Sequence, residues 1–130
     1  MSTDTMSIGE EYLAAWKAKD IEGIARHIHP DIHFTSPMAQ TDGREAFLAS
    51  SGRMFPILKD LVVRSKFASQ DQAIFTYDFI CADPIGTCST AELMTFQDGK
   101  IKSVELFFDA RPFEKLAQLR SVKPSGAPNE

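Results

Sequence analysis

The stretch HIHPDIHFTSP, His27 to Pro37, gathers three imidazoles, a carboxylate and two hydroxyls into a short segment. Such groups can ligate a metal ion or move a proton near neutral pH. The metal reading is the weaker one. His27 and His29 flank a helix end, where an imidazole can favour the negative end of the helix dipole, and His33 alternates away from Phe34 along a strand. No metal or other cofactor is expected. His33 stays a candidate base if the strand twists it inward, and Ser36 ends the strand with a small hydroxyl before Pro37. Glu92 carries a sharper signal. In TAELMTF, Thr90, Glu92, Met94 and Phe96 share one face of a period-two strand, and an inward register would hold the carboxyl in apolar surroundings that raise its pKa. The opposite register turns Ala91, Leu93 and Thr95 inward and leaves Glu92 in water; Met94 and Phe96 favour the first. Cys81 and Cys88 flank a DPIG turn and could face each other across a hairpin. Two reduced thiols behaving as small apolar residues is the favoured reading, and they lack the further ligands of a zinc site.

The elements that must position these groups belong to a chain of 130 residues, which fits one domain with a core of its own. Hydrophobic residues at 43% and charged residues at 25% match a soluble globular composition rather than a disordered one. No apolar run approaches the roughly 20 residues of a membrane span, and MSTDTMSIGEEYL has neither a basic flank nor an apolar signal core, so the cytoplasm is the expected compartment. With a net charge of -4 and 14 scattered Lys and Arg, the chain has no electrostatic footprint for nucleic acid.

Ser7 and Glu10 have capping-box spacing, and Ile8, Tyr12, Ala15 and Trp16 recur at helical intervals, which predicts a helix over about residues 7 to 18. Asp20 can cap a second short helix ended by Pro30, IHFTS reads as a strand, and Asp42 with Glu45 opens a third helix that Pro56 stops. From Leu58 the period changes to two, with strands over about residues 58 to 69, 72 to 82, 86 to 97 and 100 to 108. Asp98-Gly99 suits a two-residue hairpin. A last helical segment, RPFEKLAQL, precedes a Pro- and Gly-rich end, so residues 1 to 120 form the expected domain and 121 to 130 a flexible tail. Helices followed by a meander make an α+β fold, with the curved antiparallel sheet wrapped around the first helices.

YLAAWKAKDIEGIARHIHPDIHFTSP, TDGREAF, ELMTFQDGKI and VELFFDARPF together resemble the nuclear transport factor 2 superfamily, in its SnoaL-like and ketosteroid-isomerase-like branches, over about residues 7 to 115. The resemblance implies a cone-shaped α+β barrel, commonly dimeric, with a deep pocket for a small hydrophobic molecule. It does not imply one activity, since the fold hosts isomerases, cyclases, dehydratases, hydrolases and pure binding proteins. Matched without gaps to the isomerase spacing, Tyr12 falls at the oxyanion tyrosine and Ser36 at the general base, and matching backward from ELMTF puts Glu92 at the oxyanion carboxylic acid. A serine hydroxyl is too weak a base to remove a carbon-bound proton unaided, so Ser36 argues against isomerase activity.

The pocket walls are expected from the faces that share a period: Trp16, Phe34, Phe47, Met54, Phe55, Tyr77, Phe79 and Phe108. The first functional reading is a cofactor-free acid-base isomerase, cyclase or dehydratase of small hydrophobic molecules with Tyr12 and Glu92 as donors. Its rivals are a binding protein of the same shape and a dimerisation module. Ile74, Ile80, Leu93, Ile101 and Phe107 would leave apolar side chains on the outer sheet face, which predicts a homodimer through that face.

Overall fold

The computed structural model describes residues 4–121; residues 122–130, most of the expected tail, lie outside them. The elements run α1 (Thr5–Lys17), α2 (Ile21–Ala25), β1 (Ile28–Thr35), β2 (Gln40–Asp42), α3 (Arg44–Met54), β3 (Leu58–Ala68), β4 (Gln72–Cys81), β5 (Thr87–Gln97), β6 (Lys100–Phe107) and α4 (Arg111–Ser121). The strands form one curved sheet in the order β2-β1-β6-β5-β4-β3. Neighbouring strands are antiparallel except β1 and β6, which run parallel and so join the first strand to the last. The sheet is open, with β2 and β3 as free edges, so the closed barrel implied by the resemblance is corrected to a half-wrapped sheet. Its curvature comes with register breaks in β1, twice in β3 and once between β5 and β6, where an extra residue bends a strand and increases its twist.

α1 lies on the concave face. Asp4 caps it by accepting from the Ser7 amide, so the cap sits one turn earlier than the Ser7–Glu10 spacing suggested. Ile8, Tyr12, Leu13 and Ala15 are its buried stripe. The helix is tied along its length to β3 and to the turn that follows it. At the start the Thr5 hydroxyl donates to the Ser69 carbonyl at 2.7 Å, in the middle Lys66 pairs with Glu10, and at the end Lys17 Nζ donates to the Leu61 carbonyl at 3.1 Å. Gly9 permits the close approach: a Cβ there would lie 2.4 Å from Phe75 Cε1, and the Phe75 ring is fully buried.

Three sequence expectations shift. Asp20 caps α2 as read, but the helix ends at Ala25 and Pro30 lies inside β1, exposed, where the strand bulges. α3 begins on Gly43 at φ 93 with no side-chain cap, rather than on Asp42; Arg44 Nη2 instead secures its start by donating to the Ile28 carbonyl at 2.9 Å. Ile101, expected on the outer face, is fully buried in the core because the shift between Thr95 and Phe96 changes which residues of β6 face inward. The meander otherwise follows the pattern: Asp98 at φ 56 and Gly99 at φ 74 make the hairpin turn.

In β4 and β5 the pleat alternates cleanly. Ala73, Phe75 and Tyr77 face inward from one strand and Cys88, Thr90, Glu92 and Met94 from the other. A Gly9→Ala variant should lose about 1–3 kcal/mol of stability, because its methyl group can enter only by displacing the packed Phe75 ring; urea denaturation of the two proteins checks this, and an unchanged midpoint would contradict the packing.

Candidate functional site: a carboxyl group at the end of an aromatic cavity

Between α1, α3 and the concave face of the sheet lies a cavity of about 170 Å³. Trp16, Phe34, Phe47, Met54, Phe79, Leu106, Phe108 and Phe113 supply its apolar wall. Two chains of ring contacts run along its wall. In one, Phe34 packs on Phe47 at 5.6 Å between centroids and Phe47 on Tyr12 at 6.5 Å; in the other, Trp16 packs on Phe79 at 6.0 Å and Phe79 on Tyr77 at 6.5 Å. These edge-on and tilted contacts brace the rings against one another. Phe113 reaches the wall from α4, against Phe108 at 5.5 Å. Phe55 was read as a wall residue and is not one: it packs behind Trp16 at 5.5 Å, a buttress one layer out, because Trp16 fills the position in front of it.

Glu92 stands at the deep end, 2% exposed. β5 places it there by the same alternation that turns Met94 into the core. The Tyr77 hydroxyl donates to Glu92 Oε1 at 2.7 Å, and the Tyr12 hydroxyl adds a weaker hydrogen-bonding interaction with the same carboxyl. Loss of water raises the Glu92 pKa to about 7, the two tyrosine hydroxyls opposing that rise in part. The phenols shift the other way from usefulness as anions: burial first, and then the charge of Glu92, hold both well above the ordinary tyrosine value, so they act as neutral donors. Near neutrality the cluster therefore contains a carboxyl that can be either acid or base beside two fixed hydroxyls.

Ser36, Ser50, Ser51 and Thr90 bring further hydroxyls to the cavity. Ser51 donates to the Phe47 carbonyl at 2.9 Å and Thr90 to the Cys88 carbonyl at 3.1 Å. Ser36 lines the cavity nearer the surface, with exposed Met38 and Ala39. Its oxygen accepts from the Met38 and Ala39 amides at 3.1 Å each and donates to the Ala39 carbonyl at 3.3 Å. That turn-closing role leaves the hydroxyl without a partner that could activate it as a base. His33 points out of the cavity: Nδ1 lies 2.7 Å from Asp42 Oδ1, Nε2 lies 3.2 Å from the Thr35 hydroxyl, and the side chain is 48% exposed. His27 and His29 pair separately with Glu11 and Asp98. Among the described residues no group of His, Cys, Asp and Glu is arranged to hold a metal ion.

Cys88 reaches the cavity and Cys81 packs behind it, both as free, buried thiols. Burial pushes the Cys81 thiol up to about 11 and raises Cys88 as well, which makes both poor nucleophiles at neutral pH. Tyr77 is the residue whose role sequence reading missed. It was placed as wall, yet it is the nearest partner of the carboxyl. The signal was present in the hairpin: with Phe75 opposite Glu92 and Tyr77 opposite Thr90, Tyr77 and Glu92 are diagonal neighbours on one face, within reach of a long side chain.

Titration of Glu92 sets a pH dependence. Its folded-state pKa exceeds the ordinary value of 4.5, so between 4.5 and about 7 the native state binds more protons than the unfolded chain. Stability then falls as pH rises through that window, by roughly 3 kcal/mol once both states are ionised. Glu92→Gln should flatten this fall while keeping the fold, read by urea denaturation from pH 4.5 to 8. Carboxyl NMR should place the wild-type midpoint near 7, and an ordinary midpoint would contradict the burial.

A family model described as the SnoaL-like domain matches residues 10–104. No curated protein matches the chain. Among solved structures, a protein from Kribbella flavida DSM 17836 is 30% identical at a TM-score of 0.84, covering 94% of this chain and 100% of its own. A candidate ketosteroid isomerase from the same organism is 17% identical at 0.72, covering 79% and 76%. TerC, crystallised with polyporic acid, is 20% identical at 0.73, covering 87% and 97%. The last two share the fold alone. The family match over most of the chain and the full-length relative agree with the open sheet, the helices packed on its concave face and the cavity between them: the chain belongs to the SnoaL-like domain family.

Proposed function

We propose that the cavity receives a small, mainly apolar molecule and that Glu92, supported by Tyr77 and Tyr12, performs cofactor-free acid-base chemistry on it, of the isomerisation, cyclisation or dehydration type. The observation that carries this reading is the buried Tyr77–Glu92 hydrogen bond at the deep end of an aromatic slot. A carboxyl group stripped of water costs stability and needs a return. Protonated, it donates to an oxygen of the bound molecule and stabilises negative charge developing there; ionised, it accepts a proton. One group would have to serve both steps, because the general-base position of the isomerase pattern holds Ser36, whose hydroxyl is engaged by the backbone.

A second reading, passive binding by the same cavity, is favoured by that engaged Ser36. Deuterium uptake separates the two. In D2O, a bound small cyclic ketone should lose its α-proton NMR signal faster with the wild-type protein than with Glu92→Gln, by about 100-fold or more if Glu92 moves the proton. Binding without exchange in both proteins would leave the passive reading.

We also propose a homodimer through the outer sheet face, in the cytoplasm. On that face Phe107 of β6 and Val62 and Phe67 of β3 are exposed, Phe67 at 66%, and Ile74, Ile80 and Leu93 are half-buried. An apolar surface of this kind is stabilised by a partner. Light scattering at micromolar concentration should give twice the 14.5 kDa chain mass, and Phe107→Glu should return it to the single mass; a wild-type monomer would overturn the proposal.

A further inference from the structure

We propose that Thr35, His33 and Asp42 form a second reactive centre on the outer face of the sheet, in which the Thr35 hydroxyl is an acyl-accepting nucleophile toward small uncharged esters. The centre is separate from the cavity and independent of the chemistry of Glu92.

Its placement starts with the pleat of β1. Ile32 is buried and Phe34 lines the cavity, so His33 and Thr35, at the alternate positions, turn to the other face. The antiparallel register of β2 sets Asp42 opposite His33 and Gln40 opposite Thr35 on that face. β1 and β2 lie at the far edge of the sheet from β3, so the patch stands apart from the apolar residues of β3 and β4. Its contacts form a chain: Asp42 Oδ1 lies 2.7 Å from His33 Nδ1, and His33 Nε2 lies 3.2 Å from the Thr35 hydroxyl. An ionised carboxylate only accepts, so in the neutral ring Nδ1 carries the proton and Nε2 keeps its lone pair for the hydroxyl. A nucleophile within reach of a base that is itself oriented by an acid is the arrangement that activates a hydroxyl.

In the first step the Thr35 oxygen bonds to the ester carbonyl carbon while the hydroxyl proton passes to His33 Nε2, and Asp42 stabilises the imidazolium that results. The tetrahedral intermediate then expels the ester's alcohol, which takes that proton, and an acyl-threonine remains. Water adds next, gives a proton to Nε2 and releases the acid, and Thr35 recovers its hydroxyl proton from the ring. The sum is ester and water to acid and alcohol. The carboxamide of Gln40, opposite Thr35, can supply N–H donors to the carbonyl oxygen as its charge develops. Glu105 of β6 pairs with Thr35 on the other side. With Asp42 it makes the patch acidic, which disfavours anionic acyl donors and selects an uncharged ester.

The probe is p-nitrophenyl acetate, given to the wild-type protein. Acid quenching during turnover and peptide mapping should find the acetyl group on Thr35, and kcat/KM should fall about tenfold or more in Thr35→Val, His33→Gln and Asp42→Asn. Acetyl groups confined to lysines or to His33, or rates unchanged in the three variants, would overturn the proposal. Asp42 is a positioning residue that acts through His33, so its role also has a readout apart from rate. Proton–nitrogen NMR of the wild-type protein should show the neutral His33 ring protonated on Nδ1, and Asp42→Asn should move the ring toward the form protonated on Nε2. A wild-type ring protonated on Nε2 would turn a donor, rather than a base, toward Thr35 and would overturn the proposal without any variant being made.

Discussion

A carboxyl group in a dry place is the constraint around which the rest of this molecule is arranged. Glu92 is 2% exposed and keeps one short hydrogen bond, from Tyr77. An unpartnered charge there would be prohibitive, so the chain must either neutralise the group or surround it with donors. It does some of each: burial raises the pKa to about 7 and the phenols pull against the rise. Removing the hydroxyls would raise the pKa further and favour the neutral acid. Adding a cation would fix it as a carboxylate. The two tyrosines hold it between those limits, where both protonation states are populated.

That balance depends on placement from separate elements. Tyr77 and Glu92 come from adjacent strands and are fixed by register, whereas Tyr12 comes from α1, which lies outside the strand ladders. The helix is located instead by Thr5 at one end, Lys17 at the other and the absent side chain of Gly9 between them. A sheet closed into a barrel would have left little room for a helix on its concave face. The open edges at β2 and β3 let α1 and α3 complete the enclosure, and the same openness leaves Phe67 and the two valines of β3 exposed.

Much of this was legible before any coordinates. Strand periodicity from Leu58 onward marked the meander to within a residue or two at each boundary, because half-buried strands write their pleat into the sequence. The side of Glu92 followed from Met94 and Phe96. What stayed hidden was non-local or irregular. Ile101 was misplaced because a bulge breaks the alternation that the reading assumes, and β2 is too short to carry a period. Phe55 could not be told from the wall residues, since the layer in front of it, Trp16, belongs to another helix. Asp4 rather than Ser7 caps α1, a choice residue type did not decide because both side chains suit the role.

Burial of Glu92 carries a free-energy cost that depends on pH. Folding holds Glu92 partly protonated where the unfolded chain would release its proton, so the native state is less stable at neutral pH than it would be with an uncharged side chain there. A purely structural core position would be better served by Gln or Met, either of which fills the space without titrating. Keeping a titrating group at the end of an aromatic slot makes sense when a bound molecule supplies an oxygen to share its proton. Binding would then stabilise the protonated acid or the developing anion, and recover part of what desolvation costs. Ser36 at the other end shows the contrast: its hydroxyl is spent on closing a turn and adds stability without adding reactivity. On the proposed function, binding of a ligand oxygen and the pH dependence of stability would both report on the one buried carboxyl.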